Sequence, residues 1–248
     1  MGIIKNIFKG LVDSIFVNFK CMFCNTETVN ESLICPDCEK KLKAIRGTIC
    51  LKCGTMVEKS EDTCYTCFDK KYAFNKHRSC FIYDDLSSTP VKLLKYSGKK
   101  YLAEPIARVM YAFNKDIFSN VDVITFVPMT DERKKDRGYN QCEVLAKELS
   151  NISNIPVLKL LVKSHETEHQ ADLNFEGRIK NLKGSFEIDN EKLNNIKGKN
   201  ILLIDDVFTT GSTLHECSRI LFKGKAKSVS VLTFIKTDPF NTFEELPF

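Results

Sequence analysis

The 248-residue sequence has no tryptophan, from which nothing follows, and no long apolar run free of charge, from which more does. Residues 1–20 come nearest to such a run. Ile3, Ile4, Ile7, Phe8, Leu11, Val12, Ile15, Phe16 and Phe19 recur at helical spacing along one face. Lys5, Lys9, Asp13 and Lys20 interrupt them, so the segment cannot span a bilayer. No small-residue cleavage site follows it, so it does not read as a secretory signal. The expectation is an amphipathic helix over 1–20 that packs on the protein itself, with a membrane-surface or partner-binding helix as the second reading. A transmembrane segment is not expected, and the expected location is the cytoplasm. A strong charge bias is also missing. The chain has 37 basic and 32 acidic residues, for a formal net charge of +5. That excess suits an anionic ligand or weak nucleic-acid contact and demands neither. Hydrophobic residues at 43% and charged residues at 28% describe a globular chain, long enough for one medium and one small domain.

Cysteine is abundant instead. Eight of the eleven cysteines fall within residues 21–67, while Cys80, Cys142 and Cys217 are scattered. Cys21 and Cys24 are followed by Cys35 and Cys38, then Cys50 and Cys53 by Cys64 and Cys67. Ten residues separate the pairs in each half, so a C-x2-C…C-x2-C unit repeats. Two residues between cysteines form a tight knuckle that aims both sulfurs at one point, and two knuckles supply the four thiolates of a tetrahedral zinc. Segments this short bury little core, so the metal would supply folding energy, on the order of 10 kcal/mol apparent. Structural zinc, one or two ions, is the expected use of these residues. Disulfides belong to an oxidising compartment, and iron–sulfur or redox chemistry is the remaining use. The regular repeat favours sequential pairing over a cross-brace, and either arrangement leaves closed sites without a catalytic position.

The composition shift suggests a boundary near residues 70–80, with Asp69, Lys70, Lys71 and the polar run Asn75 to Ser79 as the joint. The expected organisation is a helix over 1–20, a cysteine-rich domain over 21–75, a second domain over 76–240 and a tail over 241–248. Beyond the joint, apolar strands alternate with helical segments. Strands are expected at 80–83, 121–127, 157–161, 200–204 and 228–234, and helices at 91–96, 101–113, 139–150 and 211–223. Such alternation predicts an α/β fold with a mainly parallel sheet flanked by helices, whose ligands sit at the carboxyl ends of the strands.

One stretch has sharper chemistry. Ile201-Leu202-Leu203-Ile204 ends in Asp205-Asp206, and Thr209-Thr210-Gly211-Ser212-Thr213 then opens a helix. Backbone N–H groups at a helix start, with Thr and Ser hydroxyls, can hold a phosphate. Gly211 permits close backbone approach, and two acids at a strand end can present oxygens to vicinal hydroxyls. The Walker pattern G-x-x-x-x-G-K-[ST] is absent. The segment resembles the phosphoribosyl-pyrophosphate motif of type I phosphoribosyltransferases. That resemblance implies the type I phosphoribosyltransferase fold. It also implies that Asp205 and Asp206 take the ribose hydroxyls and that Thr209, Thr210, Gly211, Ser212 and Thr213 take the 5′-phosphate.

Upstream stand Val127-Pro128-Met129, Arg133 and the string Arg137-Gly138-Tyr139-Asn140-Gln141; downstream stand Gln170, Arg178 and Asn181. With the cysteine head, these make residues 21–236 similar to the ComF family, also called GntX-like, of competence-associated proteins. Residues 1–20 lie outside that similarity. Arg133, Arg137 and Lys95 are candidates to neutralise pyrophosphate, with Mg²⁺ bridging pyrophosphate and ribose oxygens. Gln170 and Arg178 are candidates for a hood over the site, and His165 and His169 are expected to be exposed bystanders.

The implied chemistry is phosphoribosyl transfer, with pyrophosphate leaving C1 of the sugar. Many purine-handling relatives carry another acid where this chain has Thr209, so a purine-salvage role is disfavoured and no general base is evident; orotate, uracil, adenine and non-base nucleophiles stay open as acceptors. The family resemblance further implies a part in DNA uptake for natural transformation, with single-stranded DNA or a competence helicase as partner. The competing reading is a non-catalytic DNA- or helicase-binding adaptor that keeps the phosphoribosyl site as a sensor. The basic run Lys40, Lys41, Lys43 and Arg46 suits nucleic acid or a solvated face equally. Phe240, Phe243 and Phe248 belong to a frayed tail or a docking peptide.

Overall fold

The computed structural model describes residues 20–28, 32–58, 63–165 and 175–238. Residues 1–19 of the helix expected over 1–20, the 241–248 tail, His169 and Gln170 lie outside them. The chain divides into two compact units, Met1–Leu42 and Lys43–Phe248. The first holds Cys21, Cys24, Cys35 and Cys38 and the short helix α1 (Pro36–Lys41), which begins on Cys35 with a proline in its first turn.

The second unit contains the other cysteine cluster as well as the sheet. Its division from the first falls ahead of the composition shift near residues 70–80. The physical reason is a shared core: Cys50, Cys53, Cys64 and Cys67 are buried together with Tyr72, Phe74, Leu203, Phe208, Val229 and Val231. The run expected to be a joint is an edge strand, β1 (Lys76–Arg78), with His77 fully buried. Its polar sequence hides this role, because His77 finds partners inside: Nδ1 meets the Cys53 carbonyl at 2.9 Å and Nε2 meets Thr233 Oγ1 at 2.9 Å. A buried polar group that is fully hydrogen-bonded can join a core.

Four strands form the central sheet. Beside β1 lies β8 (Ser228–Leu232), then β6 (Asn200–Ile204), then β3 (Val123–Phe126), all parallel. Leu202, Leu203 and Ile204 are fully buried, as expected of an interior parallel strand covered on both faces. Instead of the strand expected over 157–161, Val157 adds a single parallel bridge to Ile124. A second parallel sheet joins β2 (Phe81–Ile82), β9 (Ile235–Lys236) and β7 (Val207–Phe208), and an antiparallel pair joins β4 (Leu161–Lys163) and β5 (Phe186–Ile188). The crossovers are helical. Helix α2 (Tyr65–Lys70) follows Cys64, and α3 (Asp85–Tyr96) starts with a capping box between Asp84 and Ser87. Then come α4 (Ala103–Phe113), α5 (Asp131–Arg137), α6 (Gln141–Ser153), α7 (Phe175–Leu182) and α8 (Ser212–Lys223). Of these, α5 and α7 are not foreseen by the sequence pattern. Helix α5 is charged and has no buried residue, and α7 is only eight residues long, with Leu182 as its buried residue. Helices this short are not stable alone, so both rest on caps and neighbours. Among the described residues, no helix is long and apolar enough to cross a membrane.

Candidate functional site

The carboxyl ends of β3 and β6 open into one cleft of about 300 Å³. Asp205 and Asp206 leave β6, and the next turn leads through Thr209 and Thr210 to α8. Gly211 caps α8 with φ at +80°, a conformation that side chains disfavour. A Cβ on Gly211 would stand 2.6 Å from Phe208 Cζ and 2.7 Å from Tyr72 Cε1. Both rings are buried, so neither can move aside cheaply. Gly211→Ala is therefore expected to cost about 1–3 kcal/mol from overpacking and backbone strain together. A lowered thermal midpoint checks this.

The acid pair is not symmetric. Asp206 is buried, and its Oδ2 stands 2.9 Å from Lys95 Nζ, with side-chain exposures of 4% and 14%. Burial alone would lower the Lys95 pKa, but the Asp206 and Asp205 carboxylates outweigh it and raise it, so the ammonium stays charged. Asp205 Oδ1 accepts from the Cys142 thiol at 3.1 Å and from the Asp206 N–H at 2.9 Å. Burial, and then the neighbouring Asp206 carboxylate, push the Asp205 carboxyl up to about 7. Burial, with the two acids beside it, holds the Cys142 thiol well above its ordinary value, so it donates as a neutral group.

The string Arg137-Gly138-Tyr139-Asn140-Gln141 builds the facing wall. Gly138 ends α5 with φ at +81°, which only glycine takes readily. Tyr139 is buried and donates its hydroxyl to the Leu94 carbonyl. Asn140 caps α6 through the N–H of Cys142 at 2.9 Å and donates to the Val127 carbonyl at 2.9 Å. Gln141 accepts from Arg137 Nη1 at 2.7 Å, and the guanidinium lies 5.2 Å from the centre of the Tyr96 ring. Four of these residues thus shape the wall, and Arg137 holds the charge that faces the cleft.

Lys95, Arg133, Arg137, Asp205, Asp206, Thr209, Thr210, Ser212 and Thr213, named from the sequence, all line this cleft. Gly211 lies behind the loop against the two rings. Arg178 and Asn181 reach the cleft from α7. His165 is exposed. The sequence reading missed Cys142, Lys163 and Tyr96. Cys142 was legible as a thiol two residues after the capping Asn140, but nothing local tells that β6 brings Asp205 to it. Among the described residues of the cleft, Asp205 and Asp206 are the only carboxylates.

The cysteines form two four-sulfur groups, Cys21, Cys24, Cys35, Cys38 and Cys50, Cys53, Cys64, Cys67, with all sulfurs of a group within 4.8 Å of one another. This is the sequential pairing. Cys53 and Cys64 sulfurs lie 3.6 Å apart, and the Cys64 N–H points at Cys50 Sγ at 3.3 Å. Four thiolates at such spacing suit tetrahedral zinc and leave no open ligand position.

Comparison with known proteins agrees with this division of labour. Residues 11–68 match the double zinc ribbon domain and residues 107–239 the phosphoribosyl transferase domain. Competence protein ComFC of Bacillus subtilis is 32% identical over 219 residues, 82% of this chain and 84% of that protein. The chain belongs to the ComF family. Another relative is competence protein F of Haemophilus influenzae, 29% identical over 87% of this chain and 96% of that protein. DNA utilization protein YhgH of Escherichia coli is 26% identical over 82% of this chain and 90% of its own length. The ComF chain described here therefore has the type I phosphoribosyltransferase fold and a double zinc ribbon with two structural four-cysteine sites.

Proposed function

We propose that the cleft binds phosphoribosyl pyrophosphate with Mg²⁺ and that the chain serves DNA uptake, in keeping with the names of its relatives. The observation that carries the reading is the convergence of an acid pair, a hydroxyl-rich loop at a helix start and three arginines on one cleft. Asp205 and Asp206 are assigned to the ribose hydroxyls. Thr209, Thr210, Gly211, Ser212 and Thr213 are assigned to the 5′-phosphate, whose charge suits the N–H groups opening α8. Arg133 and Arg137 face the pyrophosphate. Lys95 pairs with Asp206 at 2.9 Å and so acts on the ligand from behind the acid. The Asp205 carboxyl offers hard oxygens of the kind Mg²⁺ prefers. Bound there with the ligand, Mg²⁺ would add positive charge at the departing pyrophosphate. In transfer, the C1–O bond to pyrophosphate breaks, its electron pair leaves with the pyrophosphate, and an acceptor nucleophile takes C1.

A second reading is favoured by Thr209. With no carboxylate beyond the acid pair among the described residues of the cleft, no further carboxylate there can take a proton from an acceptor. On that reading the chain is a DNA- or helicase-binding adaptor that senses the sugar phosphate. Calorimetric titration of the zinc-replete protein with phosphoribosyl pyrophosphate and Mg²⁺ tests the shared premise. Pyrophosphate release with candidate acceptors then separates enzyme from sensor. Absence of binding by folded protein overturns both.

The pH dependence has a definite sign. The Asp205 pKa is raised from 3.8 to about 7, so the fold disfavours its charged form. Its contribution to stability therefore declines as pH rises from about 4 through 7. A diol ligand needs the carboxylate, so affinity should run the other way and weaken by up to about tenfold per pH unit below 7. Titrations between pH 5.5 and 8.5, beside Asp205→Asn, check this. A variant with the same pH slope as wild type would show that another group is responsible.

A further inference from the structure

The second cysteine cluster and the phosphate loop share one aromatic stack. Helix α2 is preceded at its start by Cys64 and contains Cys67, both cluster ligands. At six residues it is too short to hold itself in water. It ends at Lys71, whose left-handed conformation (φ 45°) turns the chain inward, and the Lys71 N–H returns to the Cys67 carbonyl at 3.1 Å. Tyr72 comes next and is buried. Its hydroxyl donates to the Thr210 carbonyl at 2.9 Å. Its ring lies against Gly211, stacks on Phe74 at 4.9 Å, and meets Phe208 edge-on at 5.7 Å and Phe175 of α7 at 5.2 Å. The Ala73 N–H donates to His215 Nδ1 on α8 at 3.2 Å. From the other side, His77 stacks on Phe208 at 4.2 Å while holding the Cys53 carbonyl.

We propose that Tyr72 is the positioning residue of the phosphate loop, and that the metal held by Cys50, Cys53, Cys64 and Cys67 sets the loop's affinity by fixing α2. Tyr72 stands outside the lining of the cleft and acts through the Thr210 carbonyl. The Thr210 carbonyl shares its peptide plane with the Gly211 N–H, so holding that carbonyl fixes the donor's direction, and the next N–H, that of Ser212, lies 3.5 Å from Thr210 Oγ1. A phosphate gains from these donors only when they are already aligned, since alignment on binding costs conformational entropy. Burial raises the Tyr72 pKa, which keeps its hydroxyl a donor at all working pH values. The four-thiolate site thus does more than close a small fold: it reaches the ligand through one side chain.

The identity of the ligand rests on the phosphoribosyl reading; the loop's dependence on Tyr72 does not. The test uses the full zinc-replete chain and two variants. Tyr72→Phe keeps the ring and removes the hydroxyl. Tyr65→Ser alters a residue of the same helix that is 84% exposed. Two probes are titrated, ribose 5-phosphate with Mg²⁺ for the loop and inorganic pyrophosphate for the arginines, and amide hydrogen exchange is followed over 209–213. Tyr72→Phe should weaken ribose 5-phosphate about fivefold to tenfold, the loss of one buried hydrogen bond. It should leave pyrophosphate unchanged and speed exchange in the loop while α2 keeps its protection. Tyr65→Ser should behave as wild type. Equal weakening of both probes means general destabilisation and overturns the proposal. Unchanged loop exchange in Tyr72→Phe overturns it too, whatever the ligand. If wild type binds neither probe, the phosphoribosyl reading fails by itself, and loop exchange still decides the role of Tyr72.

Discussion

Asp205→Asn is expected to weaken phosphoribosyl pyrophosphate binding by roughly tenfold to a hundredfold while leaving the fold at least as stable as wild type. Each charge-assisted hydrogen bond to a ribose hydroxyl contributes about 1.5–3 kcal/mol, and about 1.4 kcal/mol is one decade. The stability half follows from the raised pKa. At pH 8 the fold holds Asp205 as a disfavoured carboxylate, and asparagine removes that charge while its Oδ1 still accepts from Cys142 and from the Asp206 N–H. Asp206→Asn should differ. It leaves Lys95, whose side chain is 14% exposed, without the carboxylate that stands 2.9 Å from its ammonium. Breaking one half of a buried ion pair costs about 3–5 kcal/mol. Urea melts beside calorimetric titrations separate the two variants. Equal stability losses would mean that the pair shares its charge evenly, contrary to the geometry.

The second large effect concerns the two metal sites. Cys53→Ser is expected to abolish the cooperative unfolding transition of Lys43–Phe248. An apparent zinc contribution on the order of 10 kcal/mol is as large as the whole stability of an ordinary domain, about 5–15 kcal/mol. Cys53 lies in the same buried cluster as Leu203, Phe208 and Val231. Its carbonyl also receives the buried Lys236 ammonium at 3.1 Å, so collapse of the knuckle disturbs β9 directly. Cys38→Ser removes a ligand from the cluster within Met1–Leu42 and should leave that transition in place. Metal analysis should give one zinc per chain in either variant, against two in wild type. Calorimetry should find the main transition only in Cys38→Ser. A retained transition in Cys53→Ser would show that the sheet folds without the second knuckle.

Much of this was legible residue by residue. The cysteine spacing dictates two knuckles per half, because a two-residue gap brings both sulfurs to one metal. The apolar run 201–204 ending in two acids marks a buried parallel strand with a site at its end, and the run is observed as β6. The hydroxyl-rich turn with its glycine was legible as a helix start, and Gly211 is observed as the cap of α8. Short charged elements were illegible. Helix α5 has no buried residue, and β1 looks like a polar linker until Thr233 and Cys53 supply partners for His77. The Arg-Gly-Tyr-Asn-Gln string was visible as a motif, but its division into wall and charge was not.

Residue type and spacing dictate the chemistry available: eight thiolates in two repeats, one acid pair, one hydroxyl-rich loop and the α/β alternation that sets that loop at a strand's carboxyl end. Those properties are local, fixed over a dozen positions or so. Folding is needed to settle which acid is strained and which is paired, because Lys95 and Cys142 come to Asp206 and Asp205 from α3 and α6, far along the chain. Folding likewise places the second cysteine cluster in the core of the sheet and brings Tyr72 to the carbonyl of Thr210, 138 residues away. Burial and charge pairing depend on what the fold brings within a few ångströms, and no spacing along the chain encodes that distance.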